Sequence, residues 1–163
     1  MADAVTLLGH DLLSVRDSAS FRQTFGSPSR QREIKMHPSG TRIAMVWDDL
    51  GMVGYEDQPE GIMSHCHLAF DPSVTPEQPS HPSQIVVDVN GTSLSADTTE
   101  RGLPRDGGTP IVASFGRRYF IETARYVLDF TFDQRRDARG RKTGTRRLAM
   151  LSFSWQPSTP QTA

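Results

Sequence analysis

The chain has 163 residues and a formal net charge of −1, with 36% hydrophobic, 8% aromatic and 23% charged residues, a profile of one ordinary folded domain or two very small ones. No apolar run approaches the roughly 20 residues that a bilayer helix needs, and the opening Met-Ala-Asp-Ala-Val-Thr-Leu-Leu has no basic flank and no long apolar stretch, so a spanning helix is excluded and a cytoplasmic protein is expected. Cys66 is the single cysteine, which rules out an internal disulfide and a cysteine-built zinc site.

The first apolar run, Val5 to Val15, is expected to be a strand pair reversing near Gly9-His10-Asp11. Asp17 to Gly26 follows as one or two helical turns: Ser18 or Ser20 offers a cap, Phe21 and Phe25 share a face at i and i+4, and Gly26 with Pro28 ends it. Antiparallel strands are then expected at Arg30 to Met36, Arg42 to Trp47, Gly51 to Glu56 and Ile62 to Phe70. Four prolines within residues 71 to 83 remove amide donors and fix φ, so this stretch is a linker or an extended edge crossing.

The second half repeats the order. Ile85 to Ser95 carries Asn90-Gly91 between alternating residues, a strong short-range hairpin signal because a type I′ turn needs positive φ at both positions. A short helical segment is expected over Asp97 to Leu103, cut off by Gly102 and Pro104. Strands are expected at Pro110 to Phe115, Arg117 to Glu122, Tyr126 to Phe132 and Arg146 to Trp155, the last with plain period-2 alternation. Leu68-Ala-Phe70 before Asp71-Pro-Ser73 matches Phe153-Ser-Trp155 before Gln156-Pro-Ser158 at an offset of 85 residues. The expected fold is α+β: two tandem units of hairpin, helix and antiparallel sheet, residues 1 to 70 and 84 to 155, forming one body, with 71 to 83 as linker and 156 to 163 frayed. Leu7, Phe21, Phe25, Trp47, Leu68, Phe70, Val87, Phe120, Phe130, Leu151 and Phe153 are expected to point inward.

No catalytic signature is present: Gly107-Gly108 lacks the Lys-Ser/Thr of a phosphate loop, and no Gly-x-Ser-x-Gly occurs. His65 and His67 flank Cys66 in a strand and therefore share a face, so two imidazoles are available to a metal, with Asp71 or His37 needed as a third ligand. Cys66 on the opposite face reads as a small hydrophobe, not a nucleophile. Asp48, Asp49, Glu56, Asp57 and Glu60 lie in a stretch without a single base, open to an acid and base pair, to solvated hairpin ends, or to a negative recognition surface. Residues 1 to 83 hold 11 acids and 6 bases and the remainder 8 acids and 12 bases, so the halves stand at −5 and +4. Within the basic half, Arg135 to Arg147 carries seven bases and one acid, which reads as a long, solvated hairpin loop or, alternatively, a nucleic-acid clamp presenting Arg139, Arg141, Lys142 and Arg146.

Phe25-Gly-Ser-Pro28, Val46-Trp-Asp-Asp-Leu-Gly-Met52 and Val87 to Thr98 together resemble a family of small bacterial α+β domains found beside secreted polymorphic toxins and type VI secretion effectors, of which Trp47-Asp-Asp-Leu-Gly51 is the distinctive part. The tandem layout is also similar to that of beta-lactamase inhibitory proteins and outer-membrane assembly lipoprotein domains. The resemblance implies an immunity protein: a non-enzyme, without cofactor or metal, that binds and occludes a cognate secreted toxin. The Trp47 motif has a structural explanation of its own, in which the ring is buried, Asp48 and Asp49 begin a turn by bonding backbone amides, and Gly51 relieves the reversal. The partner-binding residues expected on this reading are Asp48, Asp49, Glu56, Asp57 and Glu60 as an acidic rim, with Arg139 and Arg141 as a second surface. Membrane contact is not expected, nucleic acid is the alternative partner, a His65/His67 metal-dependent enzyme is the second alternative, and self-association is left open.

Overall fold

A computed structural model describes residues 4–104, 111–112 and 118–157; Gly107-Gly108, most of the strand expected over 110–115 and the tail beyond 157 lie outside them. The chain is mostly antiparallel sheet with one α-helix among the described residues. Its strands are β1 (Val5–Leu7), β2 (His10–Asp11), β3 (Arg30–Lys35), β4 (Thr41–Trp47), β5 (Met52–Gln58), β6 (Ile62–Ala69), β7 (Val87–Val89), β8 (Thr92–Leu94), β9 (Ile111–Val112), β10 (Arg118–Glu122), β11 (Tyr126–Arg136) and β12 (Lys142–Trp155), and its helix is α1 (Ser18–Phe25). Four strands form a small sheet in the order β2-β1-β7-β8, and eight form a large one in the order β3-β4-β5-β6-β12-β11-β10-β9.

Each sheet is built from both halves of the chain, joined at its centre. In the small sheet Thr6 faces Asp88 across β1 and β7; in the large sheet His67 faces Ser152 and Leu68 faces Leu151 across β6 and β12. The strand order reads alike from both ends. Thr6 and Asp88 are also 82 positions apart, as are the turn residues Leu8 and Asn90, while His67 and Ser152 are separated by the 85 positions that relate the closing strands.

The inner face of the large sheet meets α1 and the small sheet around one core, which includes Val5, Leu7, Val87 and Leu94 from the small sheet and Met52, Leu68, Leu128, Phe130, Leu151 and Phe153 from the large one. Phe21 is fully buried, its ring 5.4 Å from that of Trp47 and 4.7 Å from that of Phe25. It sits over Gly54, where a Cβ would come within 2.9 Å of Met63 Cε and 3.2 Å of the Trp47 ring; the missing side chain is what lets helix and sheet approach so closely. Trp155 Nε1 donates to Leu12 O at 2.9 Å, tying the last strand to the first turns of the chain.

Four expectations need correction. The cap of α1 is Asp17, whose carboxylate accepts from Ser20 N, because Ser18 lies inside the first turn and turns its hydroxyl to Glu56. The segment 97–103 yields only a single 3₁₀ turn, Glu100–Gly102, and Thr99 makes no side-chain capping bond. Phe120 is not inward: β10 pairs Phe120 with Asp129 and Ile121 with core residue Leu128, so the run Tyr119-Phe120-Ile121, apolar throughout, puts its middle member on the outer face, 5.1 Å beneath the Arg118 guanidinium. The basic segment is not a long loop, since β11 runs on to Arg136 and β12 starts at Lys142, leaving a tight turn closed by Asp137.

Residues 71–83 do not stand off as a spacer. They form a strap that leaves β6, covers the outer face of β3, β4 and β5, and returns. Arg30 Nη2 donates to Glu77 O and Gln78 O at 2.9 and 3.0 Å, Arg32 pairs with the buried Glu77 carboxylate, and Ser80 N donates to Asp48 at 2.8 Å. Beneath it lie Ala44, Val46, Val53 and Tyr55, a second small apolar cluster. The strap closes on Gly51 (φ +60), where a Cβ would lie 2.3 Å from Ser83 N. Gly51→Ala is therefore expected to cost about 3 kcal/mol in urea unfolding from backbone strain and overpacking together. Gly91→Ala, also at positive φ but with open space around it, should cost about 1 kcal/mol. Equal losses would show that the strap is not seated against the turn.

Candidate functional site

The five acids expected to form one rim are split between the two ends of β5, roughly 20 Å apart along a seven-residue strand. At one end, Asp48 accepts from Arg30 and from Ser80 N, so its carboxylate anchors the strap and not the turn in which it lies. Burial alone would raise its pKa, but the Ser80 amide and the Arg30 guanidinium together hold it below the usual carboxylate range. Asp49, beside it, is exposed. At the far end Glu56 is buried at 6% exposure, accepting from Ser18 Oγ at 2.7 Å, Arg22 Nη2 at 3.2 Å and Gln58 Nε2. It holds the start of α1 to the sheet. Asp57 pairs with Arg42 at 2.7 Å, and Glu60 is exposed. The structure thus leaves Asp49 and Glu60 on the surface, ties Asp48 and Glu56 into the fold, and pairs the half-exposed Asp57 with Arg42.

The cations of the β11–β12 hairpin are similarly engaged. Arg135 Nη2 donates to Ala96 O and Leu148 O, Arg141 pairs with Asp137 at 3.2 Å, Lys142 with Asp133 at 3.1 Å, Arg146 with Glu100 at 2.7 Å and Arg147 with Asp97 at 3.4 Å. The Asp137 carboxyl is held low by the Arg141 amide first, then by the Arg139 amide and the Arg141 side chain. Arg139 is exposed at the tip of the turn.

His65 and His67 share the outer face, as their spacing requires. Tyr55 stacks on His65 with ring centroids 4.2 Å apart, and the two imidazoles are 5.7 Å apart. His65 Nδ1 lies 2.9 Å from Ser64 Oγ and His67 Nδ1 3.0 Å from Ser152 Oγ, while His67 Nε2 is buried with no hydrogen-bond partner among the described residues. Among those residues no group of three or more His, Cys, Asp or Glu is placed to hold a metal ion, so neither Asp71 nor His37 completes a set with the two histidines. Cys66 faces the core, where burial pushes its thiol up to about 12.

One concave site was not anticipated from the sequence. On the outer face of the small sheet, at its join to the β4–β5 turn, a groove of about 590 Å³ is lined by Leu8, Leu50, Ile85 and Val86, with Thr6 and Gln84 among its polar members. Among the described residues its charged members are Asp49 and Asp88, and none of the described residues that line it is a base. Asp88 also accepts from Gly91 N at 2.9 Å, which holds its carboxylate beside the β7–β8 turn. Leu8 and Val86 stand more than half exposed at its mouth, at 54% and 56%. The alternation in Ile85 to Val89 does carry a signal, because it puts Ile85, Val87 and Val89 inward and leaves Val86 apolar where a polar residue was due. The contribution of Asp49 and Leu50 from a distant turn had no local signal.

No family model, curated protein or solved structure matches this chain.

The histidine pair makes stability sensitive to acid. Burial, first of all, lowers both imidazoles from 6.5 to about 4, with Arg42 adding to the effect at His65 and His65 to that at His67, while Asp57 opposes it at His65. Both are neutral in the folded chain down to about pH 4, whereas the unfolded chain takes up protons from about pH 6.5 downward. Stability is therefore expected to be full above pH 6.5 and to fall by a few kcal/mol as pH drops to about 4. A His65→Asn, His67→Asn double variant should show a smaller drop in Tm between about pH 7.5 and about pH 4.5; a drop equal to that of the parent chain would locate the acid sensitivity elsewhere.

Proposed function

We propose that this chain is a non-catalytic binding protein of the immunity type, which neutralises a cognate bacterial toxin in the cytoplasm by covering part of its surface. The observation that carries the reading is the groove on the small sheet, an apolar surface with an acidic border and no base among the described residues that line it. Such a site suits association with a basic protein: buried anchors supply affinity, and unpaired rim charge speeds encounter and selects the partner. Its position agrees with the resemblance of Trp47-Asp-Asp-Leu-Gly51 to toxin-associated domains, since Asp49 and Leu50 of that motif line the groove.

On this reading the motif has a divided task. Trp47 is buried with its Nε1 donating to Gly26 O at 2.9 Å, Asp48 fastens the strap, and Gly51 admits Ser83, so three of its members tie the motif to the rest of the fold. Asp49 and Leu50 are then displayed by that turn to the partner. The matching strand order of the two halves supports a duplicated hairpin-helix-sheet unit, in which the first copy kept its helix and the second reduced it to one 3₁₀ turn. Glu60 and Arg139 lie away from the groove and are secondary contacts at most.

Coexpression with the toxin-bearing product of the neighbouring gene, followed by copurification and a toxicity assay, tests the proposal. Asp49→Lys is expected to weaken the complex at least tenfold, about 1.4 kcal/mol, and to make association less salt-sensitive, while Glu60→Lys leaves both unchanged. Absence of a complex, or a complex that does not protect cells, would end the immunity reading. A protective complex indifferent to Asp49→Lys would move the interface off the groove.

A further inference from the structure

We infer that Leu8 is the anchor of this groove, and that its occupant is a segment of another protein pairing an apolar side chain with a lysine or arginine. The inference deepens the binding role proposed above and rests on it.

The β1–β2 and β7–β8 hairpins close with the same two-residue turn. In one, Leu8 and Gly9 have φ of 50° and 80°; in the other, Asn90 and Gly91 have φ of 51° and 88°. Both turns therefore need the left-handed region at their first position. Asparagine tolerates that region and leucine resists it, because its Cβ and branched side chain crowd the backbone there. The second hairpin carries the residue that the turn demands, and the first carries one that the turn disfavours. Nothing in the packing accounts for the difference, since Leu8 is 54% exposed and Leu7, its neighbour, already supplies the inward side chain. A residue that costs the fold on both backbone and solvation grounds, and that lines a groove, is explained by what the groove receives.

The surroundings define the occupant. Val86, just before β7, continues the apolar surface at 56% exposure, and Leu50 and Ile85 also line the groove. An apolar side chain placed there would be surrounded by Leu8, Val86 and Leu50. Asp49 and Asp88 stand at the border with no cation among the described lining residues, so a lysine or arginine next to that side chain would find an acid, whereas an anionic surface such as a phospholipid headgroup or nucleic-acid backbone would be repelled. The two acids approach from separate elements, the β4–β5 turn and β7, which favours a segment crossing the groove over a single small molecule held at one point.

A library of random linear peptides displayed on phage and selected on the intact protein supplies the probe. Enriched sequences are expected to pair an apolar residue with lysine or arginine, and the commonest, made synthetically, is expected to bind on the order of micromolar Kd. Leu8→Asn should weaken that peptide at least tenfold while leaving Tm equal to or above that of the parent chain, because the substitution relieves the turn. A structural role for Leu8 would instead lower Tm. Asp49→Lys should also weaken the peptide and flatten its salt dependence. No enrichment, enrichment of acidic or purely apolar sequences, or binding indifferent to Leu8→Asn would overturn the proposal; so would a groove-dependent dimer of the protein alone, which would make the occupant a second copy. If the peptide depends on Leu8 but the coexpressed toxin is not bound, the anchor stands and the immunity reading falls. If the toxin is bound and Leu8→Asn leaves that complex intact, the reverse holds.

Discussion

The pairing of β6 with β12 is the constraint from which the remaining architecture follows. It joins strands 85 residues apart at the centre of the large sheet, setting Cys66 opposite Phe153 and Leu68 opposite Leu151 on the inner face and His67 opposite Ser152 on the outer. Because side chains alternate with a period of two, this one register decides which residues of both halves meet α1 and the small sheet. A slip of one position would turn Phe153 and Leu151 outward and bring Ser152 and Ser154 into the core. The β1–β7 pair repeats the arrangement in the second layer, where Thr6 facing Asp88 leaves Val5, Leu7, Val87 and Val89 directed inward.

Closing both sheets across the chain's midpoint places polar groups in demanding positions, and the charges are distributed accordingly. Glu56 and Glu77 are buried acids, each held by an arginine from another element, Arg22 and Arg32. Arg135 is drawn in to satisfy the carbonyls of Ala96 and Leu148, and burial lowers its pKa. These residues hold the strap, the helix and the long hairpin to the sheets. Asp49 has no such duty among the described residues, and it borders an apolar groove.

The histidine pair shows the same economy on the outer face. His65 and His67 pack against Tyr55 as neutral aromatic rings with one nitrogen of each near a serine hydroxyl. Their metal-like spacing is a consequence of lying in one strand. Burial raises the Tyr55 hydroxyl to about 12, most strongly of all, with Glu77 adding to the effect. In the fold the two imidazoles form one aromatic cluster with Tyr55 on the outer face of the large sheet.

Local physics was enough for the sequence to determine the turn at Asn90-Gly91, the Phe21 and Phe25 face of α1, the inward run Leu151, Phe153 and Trp155, and the shared face of His65 and His67, because each depends on neighbours within a few positions. The sequence could also mark the end of a strand pattern at the prolines of 71–83, since a proline lacks its amide wherever it lies. Only the tertiary structure decided where that segment went and which acids became buried ties, for these depend on partners more than 30 positions away in sequence, as Arg30 with Gln78 and Arg22 with Glu56 show; the face of Phe120 was set by the register of the β10–β11 pair, which an unbroken apolar run does not encode. The groove belongs to this second class. Leu8, Asp49 and Val86 carry no common motif, and they form one surface only because the β1–β7 pair and the Gly51 turn meet in space, a long-range closure that no local preference encodes.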